Sequence, residues 1–123
     1  MQEDPVFDFD VRTLFAMLDG KAQRIAFSIA NYLGLPEEVM DDVPITSLSG
    51  GERKKVFLAV GLAADSKWLF LDEPTNHLDR QGKEALVTLL RKRKGIFMVS
   101  HDPVFYQAAD SVLRLEKGRI LRI

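Results

Sequence analysis

Three short polar segments carry residue types that can bind phosphate, hold a metal ion or activate water. Residues 49–52 read Ser-Gly-Gly-Glu, and two acidic residues, Asp72 and Glu73, follow a short apolar run at 68–71. The third segment, Ser-His-Asp at 100–102, follows a second apolar run. Together these groups could bind a phosphate and a magnesium ion and could activate a water molecule.

Ser49 and Glu52 have the spacing of a capping box, in which each side chain accepts a hydrogen bond from the other residue's backbone N–H. We therefore predict that a helix begins here. Gly50 and Gly51 would leave backbone N–H groups bare at the positive end of the helix dipole, which suits a phosphate. A helix cap that binds no ligand is the alternative explanation of the same four residues.

Asp72 and Glu73 end what we interpret as a buried strand of a parallel sheet. The carboxyl edge of such a sheet is where α/β proteins bind ligands. Because successive side chains of a strand point in opposite directions, one carboxylate could hold a hydrated magnesium ion while the other faces a water as general base. The same pair could instead serve as a helix cap and a turn acid before Pro74.

His101 follows the second apolar run in the same way, so its ring could contact a phosphate oxygen or a water. Capping of the next helix, or solvation in a loop, is the alternative for this residue and also for His77. The basic run at 91–94 lies at a predicted helix end, where cations suit the dipole, and we assign it to a solvated face.

The elements that must position these residues alternate between helix and strand in the second half, which predicts an α/β fold with a mainly parallel sheet. In the first half, Ile25, Ile29, Tyr32 and Leu33 recur at helical spacing. The predicted helices span 11–18, 21–33, 49–65, 79–93 and 103–109. The predicted strands span 68–71 and 96–99, with a closing hairpin at 112–115 and 119–121.

Composition favours a folded domain: 46% of the 123 residues are hydrophobic and 28% are charged. A net charge of −1 gives no bulk attraction to nucleic acid or to an anionic membrane. The absence of cysteine excludes a disulfide scaffold and a thiolate metal site. No apolar run approaches about 20 residues and no signal-peptide pattern is seen, so we expect a cytoplasmic protein.

Residues 48–52, 69–79 and 99–102 together resemble, in order and spacing, the ATP-binding cassette (ABC) ATPases. The resemblance implies a partial P-loop NTPase fold, in which a helical subdomain with the signature helix joins the Walker B and switch half of the sheet. It implies ATP and Mg²⁺ as cofactors of the complete cassette.

The same resemblance implies roles for individual residues. Glu73 would be the catalytic glutamate and His101 the switch histidine. Asp72 would bind magnesium, and so would Gln2, which is similar to the glutamine of the Q-loop. The remaining nucleotide-binding positions would lie in the signature motif and the D-loop: Ser49, Gly50, Gly51, Glu52 and Asp79.

The subfamily follows from finer features. Asn-His-Leu-Asp at 76–79 is similar to both ABC-F translation factors and the importers of iron chelates and cobalamin. Residues 31–34, the short link at 94–95, and 100–102 with Phe105 favour ABC-F. Repair ATPases of the SMC type share the Ser-Gly-Gly-Glu signature but usually space it further from Walker B, so they rank third.

No phosphate loop of the form G-x-x-x-x-G-K-[ST] occurs in the 123 residues, because Ala22 follows Gly20-Lys21 and Glu84 follows Gly82-Lys83. The expected organisation is therefore one partial ABC domain. It divides into a Q-loop remnant with the helical subdomain at 1–48, the signature helix at 49–65, and the Walker B, D-loop and switch part at 66–123. This chain alone is expected neither to bind nor to hydrolyse ATP.

The expected partner is a Walker A half or a second ABC cassette. A sheet without its other strands would expose an unpaired edge and an apolar face, which predicts a homo-oligomer, a swapped dimer or a complementing fragment. A ribosome would be the partner of an ABC-F protein and a membrane permease that of an importer. The alternative from another class is a non-enzymatic interaction module derived from an ABC cassette.

Overall fold

A computed structural model describes residues 9–64 and 66–122. Its elements, in chain order, are α1 (Val11–Ala16), α2 (Gly20–Tyr32), α3 (Gly50–Ala63), β1 (Leu69–Asp72), α4 (Arg80–Arg91), β2 (Ile96–Val99), β3 (Leu113–Glu116) and β4 (Arg119–Arg122). Short 3₁₀ turns occupy Glu37–Met40, Ile45–Ser47 and Pro103–Phe105. The architecture is α/β with a parallel pair of strands beside helices, as the sequence predicted.

Each of the four helices begins at a residue whose side-chain oxygen accepts a hydrogen bond from the backbone N–H three residues later. This arrangement satisfies a backbone donor that has no partner within the helix. The capping residues are Asp10, Asp19, Ser49 and Asp79. For Asp10, the hydrogen bonds with Thr13 lower the pKa of the carboxyl group.

A single hydrophobic core joins α1, α2, α3 and α4. Helices α2 and α3 pack closely because alanines lie at their contact, with Ala26 and Ala30 on α2 and Ala59 on α3 fully buried. The apolar stripe predicted for α2 is partly wrong. Ile29 and Leu33 are buried as predicted, but Ile25 and Tyr32 are exposed, and alanines at 22, 26 and 30 complete the buried face.

β1 and β2 pair in parallel, with Leu69 opposite Ile96 and Asp72 opposite Val99. The predicted strand 96–99 is confirmed, whereas the other begins at Leu69, one residue later than expected. The prediction that both strands are buried is wrong. Their side chains alternate between a face on the core and an open face, where Phe70 is 72% and Phe97 54% exposed.

Two further expectations need correction. The helix predicted at 103–109 is only the 3₁₀ turn Pro103–Phe105, which begins at Pro103 and is held in place by buried Phe105.

The basic run at 91–94 is not wholly solvated. The Arg93 guanidinium donates hydrogen bonds to the carbonyl oxygens of Leu62 and Ser66, both at 3.0 Å, and so joins the end of α4 to the end of α3. The closing hairpin is confirmed as β3 paired antiparallel with β4.

The turn into β2 depends on Gly95, which has φ +76° and lies against the backbone that enters β1. A Cβ atom at this position would be 2.1 Å from the carbonyl oxygen of Lys67. Gly118 has almost the same φ, +77°, yet a Cβ there would meet no atom within 4 Å. Comparing alanine substitutions at the two glycines therefore distinguishes the cost of backbone strain from the cost of a steric collision.

We predict that Gly95→Ala lowers the free energy of unfolding by about 3 kcal/mol, because alanine adds a collision to the strain of a left-handed conformation. The matched control, Gly118→Ala, carries the strain alone and should cost about 1 kcal/mol. Urea denaturation followed by circular dichroism measures both values. Equal losses in the two variants would show that the contact between Gly95 and Lys67 is unimportant.

Candidate functional site

The start of α3 has the capping box that the sequence predicted. The Glu52 N–H donates to Ser49 Oγ at 3.1 Å, and the Ser49 N–H donates to Glu52 Oε1 at 2.9 Å. These reciprocal bonds hold both side chains at the helix start, beside the exposed backbone of Gly50. The structure therefore realises the capping explanation of Ser49 and Glu52, and it leaves the helix's positive end at the surface.

The two glycines at the start of α3 lie against His77. A Cβ atom on Gly51 would be 2.7 Å from the His77 carbonyl oxygen, and one on Gly50 would be 3.2 Å from the His77 ring. His77 itself has a left-handed backbone, with φ +69°. The sequence analysis did not predict this contact. Its only sign in the local sequence is the adjacent pair of glycines. The glycines thus allow the loop after β1 to approach the helix start.

The parallel pairing of β1 and β2 brings Glu73 to His101. The Glu73 N–H donates to the Val99 carbonyl at 2.7 Å, so the chain leaving β1 stays attached to the end of β2. One carboxylate oxygen of Glu73 accepts from the His101 backbone N–H at 3.4 Å, and the other lies 3.4 Å from His101 Nε2. The ring is 96% exposed and the carboxylate 25%, so a ligand could reach the pair from solvent.

Asp72, the last residue of β1, is exposed, whereas Glu73 is half-buried. Asp72 lines a groove of about 310 Å³ between α3 and β1, together with Lys54, Phe57 and Phe70. Within the described residues, no three His, Asp or Glu side chains come together as a metal cluster. A lone carboxylate fits Mg²⁺ that takes its other ligands from phosphate and water.

Asp102 joins the loop after β2 to α4. Its carboxylate lies 2.9 Å from Lys83 Nζ and accepts a hydrogen bond from the Val104 N–H at 3.0 Å. These bonds, first that of Val104 and then that of Lys83, lower the pKa of the carboxyl group, with a smaller contribution from buried Thr75. This network fixes the segment that carries His101.

The structure does not bring every candidate residue to the same place. Asp79 caps α4, its Oδ1 accepting from the Gly82 N–H at 2.8 Å, so its carboxylate serves the helix start. Gln2 lies outside the described residues. One contact that the sequence did not suggest joins the segments: Lys54 Nζ on α3 donates to the Glu73 carbonyl oxygen at 3.3 Å.

The chain is an α/β domain with acidic and histidine side chains at the carboxyl edge of a parallel pair of strands, the edge at which α/β proteins bind ligands. The family model described as ABC transporter matches residues 2–76 of the chain. The match spans more than half of the 123 residues, and the chain belongs to this family of ATPases, whose members generally bind ATP with Mg²⁺.

Three curated proteins illustrate the similarity. The chain is 44% identical over 87 residues to the DNA double-strand break repair Rad50 ATPase of Saccharolobus solfataricus, which covers 63% of this chain and 10% of that protein. It is 37% identical over 110 residues to the energy-coupling factor transporter ATP-binding protein EcfA2 of Methanospirillum hungatei. This match covers 85% of this chain and 28% of that protein. It is 44% identical over 80 residues to the energy-dependent translational throttle protein EttA of Mycobacterium tuberculosis. This match covers 63% of this chain and 14% of that protein.

The fold is that of part of an ABC cassette. A solved bacterial ABC transporter cassette, in its dimeric form, superposes with a TM-score of 0.72 at 23% identity, covering 89% of this chain and 52% of the cassette. The chain thus spans only 10% to 28% of the three curated relatives and about half of the solved cassette. Among the described residues, no helix has the length and apolar character needed to cross a membrane.

The lowered pKa of Asp102 leads to a prediction about acid stability. The folded pKa lies below the ordinary value, so the stabilisation is present above about pH 4 and is lost as the pH falls through the folded pKa. Asp102→Asn keeps an oxygen for the Val104 N–H but removes the charge that faces Lys83. We expect it to lower the free energy of unfolding by about 1 kcal/mol at pH 7.

Urea denaturation at pH 7 and at about pH 3 measures this effect, and the difference between wild type and variant should shrink at the lower pH. Asp110→Asn, a substitution of an exposed carboxylate, is the control and should change little at either pH. A difference for Asp102→Asn that is independent of pH would contradict the role of its charge.

Proposed function

We propose that this chain is the signature-to-switch part of an ABC ATPase that binds and hydrolyses ATP with Mg²⁺ at a composite site formed with a second cassette. The observation that carries the proposal is the contact of Glu73 with both the backbone N–H and the ring of His101. The pair lies at the carboxyl edge of the parallel strands, where exposed Asp72 is the last residue of β1. A base, a metal-binding carboxylate and an imidazole are thus presented on one edge.

In this proposal Glu73 accepts a proton from the water that attacks the γ-phosphorus, and the bond from that phosphorus to the β–γ bridging oxygen breaks to give ADP and phosphate. His101 donates to the γ-phosphate and, through its contact with Glu73, keeps the carboxylate directed at the water. Asp72 would hold Mg²⁺, which would neutralise charge on the phosphates when bound. Positioning and electrostatics of this kind supply most of the rate in phosphoryl transfer.

The start of α3 serves the nucleotide held by the partner cassette. The exposed backbone at Gly50 and the positive helix end suit a γ-phosphate. Ser49 and Glu52 support this site by keeping the helix start in place through the capping box. We assign Gly51, Asp79 and Gln2 to nucleotide binding on the strength of the family motifs, and Gln2 also to magnesium.

The proposed organisation is one partial ABC domain: 1–48 as Q-loop remnant and helical subdomain, 49–65 as signature helix, and 66–123 as the Walker B, D-loop and switch part. These 123 residues contain no Walker A motif, whose backbone N–H groups and lysine grip the phosphates in such enzymes. A phosphate loop must therefore come from another segment or polypeptide before ATP is held.

The open face of the sheet supports a polypeptide partner. Phe70 and Phe97 are in contact with each other, with ring centroids 5.8 Å apart, yet both are largely exposed. Covering such a patch removes apolar surface from water. We propose that a Walker A segment, a second cassette or another copy of the chain covers it. A non-enzymatic interaction module would use the same face and is the alternative.

Within the family we place the chain nearest the ABC-F translation factors, acting in the cytoplasm on the ribosome. The identity of 44% to the translational throttle protein supports this placement, together with the motif at 76–79. An importer subunit bound to a membrane permease is the second candidate, supported by the transporter ATP-binding protein that matches 85% of the chain. A repair ATPase is the third, supported by 44% identity to the Rad50 ATPase.

The first test is calorimetric titration of the purified chain with magnesium-ATP. We expect no binding heat up to about 1 mM nucleotide, because nothing in the 123 residues replaces the phosphate loop. Adding a cassette segment that carries a Walker A motif to the same cell is the positive control and should produce saturable binding. Saturable binding by the chain alone would contradict the proposal that the phosphate loop comes from elsewhere.

The second test changes the proposed base in the complex of this chain with such a Walker A segment. Glu73→Gln should leave ATP affinity nearly unchanged and reduce kcat by about 10²- to 10⁴-fold, because an amide cannot accept the proton. The matched control is Glu84→Gln, which alters an exposed glutamate paired with Arg80 on α4. Equal loss of binding and turnover in Glu73→Gln would mean that this residue is structural.

A further inference from the structure

Lys54 makes a contact in the site that the sequence patterns did not predict. It lies in the first turns of α3, three residues after Gly51, and its half-buried side chain runs along the groove between α3 and β1. Its ammonium group donates to the carbonyl oxygen of Glu73 at 3.3 Å, across 19 residues of sequence. The contact therefore joins the signature helix to the backbone of the proposed base.

The backbone of Glu73 needs such support. Its φ of +47° lies in the left-handed region, which is unfavourable for a residue with a Cβ atom. A strained conformation of this kind persists only where the surroundings fix it. The Val99 carbonyl holds the N–H of Glu73, whereas the carbonyl oxygen of Glu73 accepts from both Asn76 N–H, at 3.2 Å, and Lys54.

The orientation of this backbone decides where the carboxylate points. With φ at +47°, the two carboxylate oxygens meet the backbone and the ring of His101. A change in φ at Glu73 turns the carbonyl group and the side chain together about the N–Cα bond, so a bond that holds the carbonyl oxygen also restrains the carboxylate beside His101. Of the three backbone hydrogen bonds at Glu73, the bond from Lys54 alone comes from α3.

We infer that Lys54 is a positioning residue that couples the start of α3 to the carboxylate of Glu73. Residues three and four apart share one face of a helix, so Lys54 lies on the same face as Gly50 and Gly51. A γ-phosphate that shifts the helix start therefore moves the ammonium group, and with it the backbone that aims Glu73. This inference rests on the proposed role of Glu73 as the base.

The experiment compares three variants of the full chain. Lys54→Met removes the charge but keeps the length and apolar stem, Lys54→Arg restores a donor, and Lys55→Met is the control at the neighbouring position of the same helix. Backbone-amide NMR spectra of the isotope-labelled chains report the hydrogen bond from the His101 N–H to Glu73. The complex with a Walker A segment then reports turnover.

Lys54→Met should shift the amide resonances of Glu73 and His101 while the amides of α2 stay unchanged. Lys54→Arg and Lys55→Met should both retain the wild-type positions of these resonances. In the complex, Lys54→Met should lower kcat by about tenfold to a hundredfold with little change in KM for ATP, because a displaced base costs turnover rather than binding.

Unchanged Glu73 and His101 resonances in Lys54→Met would overturn the inference, as would equal changes in the arginine variant. General loss of amide dispersion would also overturn it, because Lys54 would then support the whole fold. The NMR result is independent of ATP, so it separates this inference from the proposed function, which fails if Glu73→Gln keeps full turnover.

Discussion

The parallel pairing of β1 with β2 is the constraint on which the rest of the site depends. Because parallel strands end on the same side of a sheet, the register that sets Asp72 opposite Val99 also delivers Glu73 and His101 to one edge. The hydrogen bond from the Glu73 N–H to the Val99 carbonyl extends the pairing one residue beyond the strands. A one-residue slip would turn every side chain to the other face and separate the pair.

Helix α3 contacts the segments that surround this edge of the sheet. At its start, glycines allow His77 to approach, and one turn later Lys54 contacts the Glu73 carbonyl. At its end, Arg93 holds the Leu62 carbonyl and so fixes the helix against α4. The helix therefore contacts the loop after β1 near its start and the segment after α4 at its end.

The outer face of β1 and β2 differs from the helical core in that its apolar side chains are exposed to solvent. Fully buried residues such as Phe15, Val56 and Leu86 support the helices, whereas the outer face of β1 and β2 leaves phenylalanines in water. Exposed aromatic surface of this kind is unfavourable for an isolated domain and favours association.

Local patterns in the sequence were enough to predict the capping box of Ser49 and Glu52, the strand Ile96–Val99, the α/β class and the family. They did not predict which strand face is covered, which residues of α2 are exposed, or that Lys54 and His77 reach the site. The difference lies in the distance along the chain over which each interaction acts. Caps and strand propensity act within a few residues, whereas burial and the bonds of Lys54 and Arg93 join groups 19 to 31 residues apart, which no local pattern encodes.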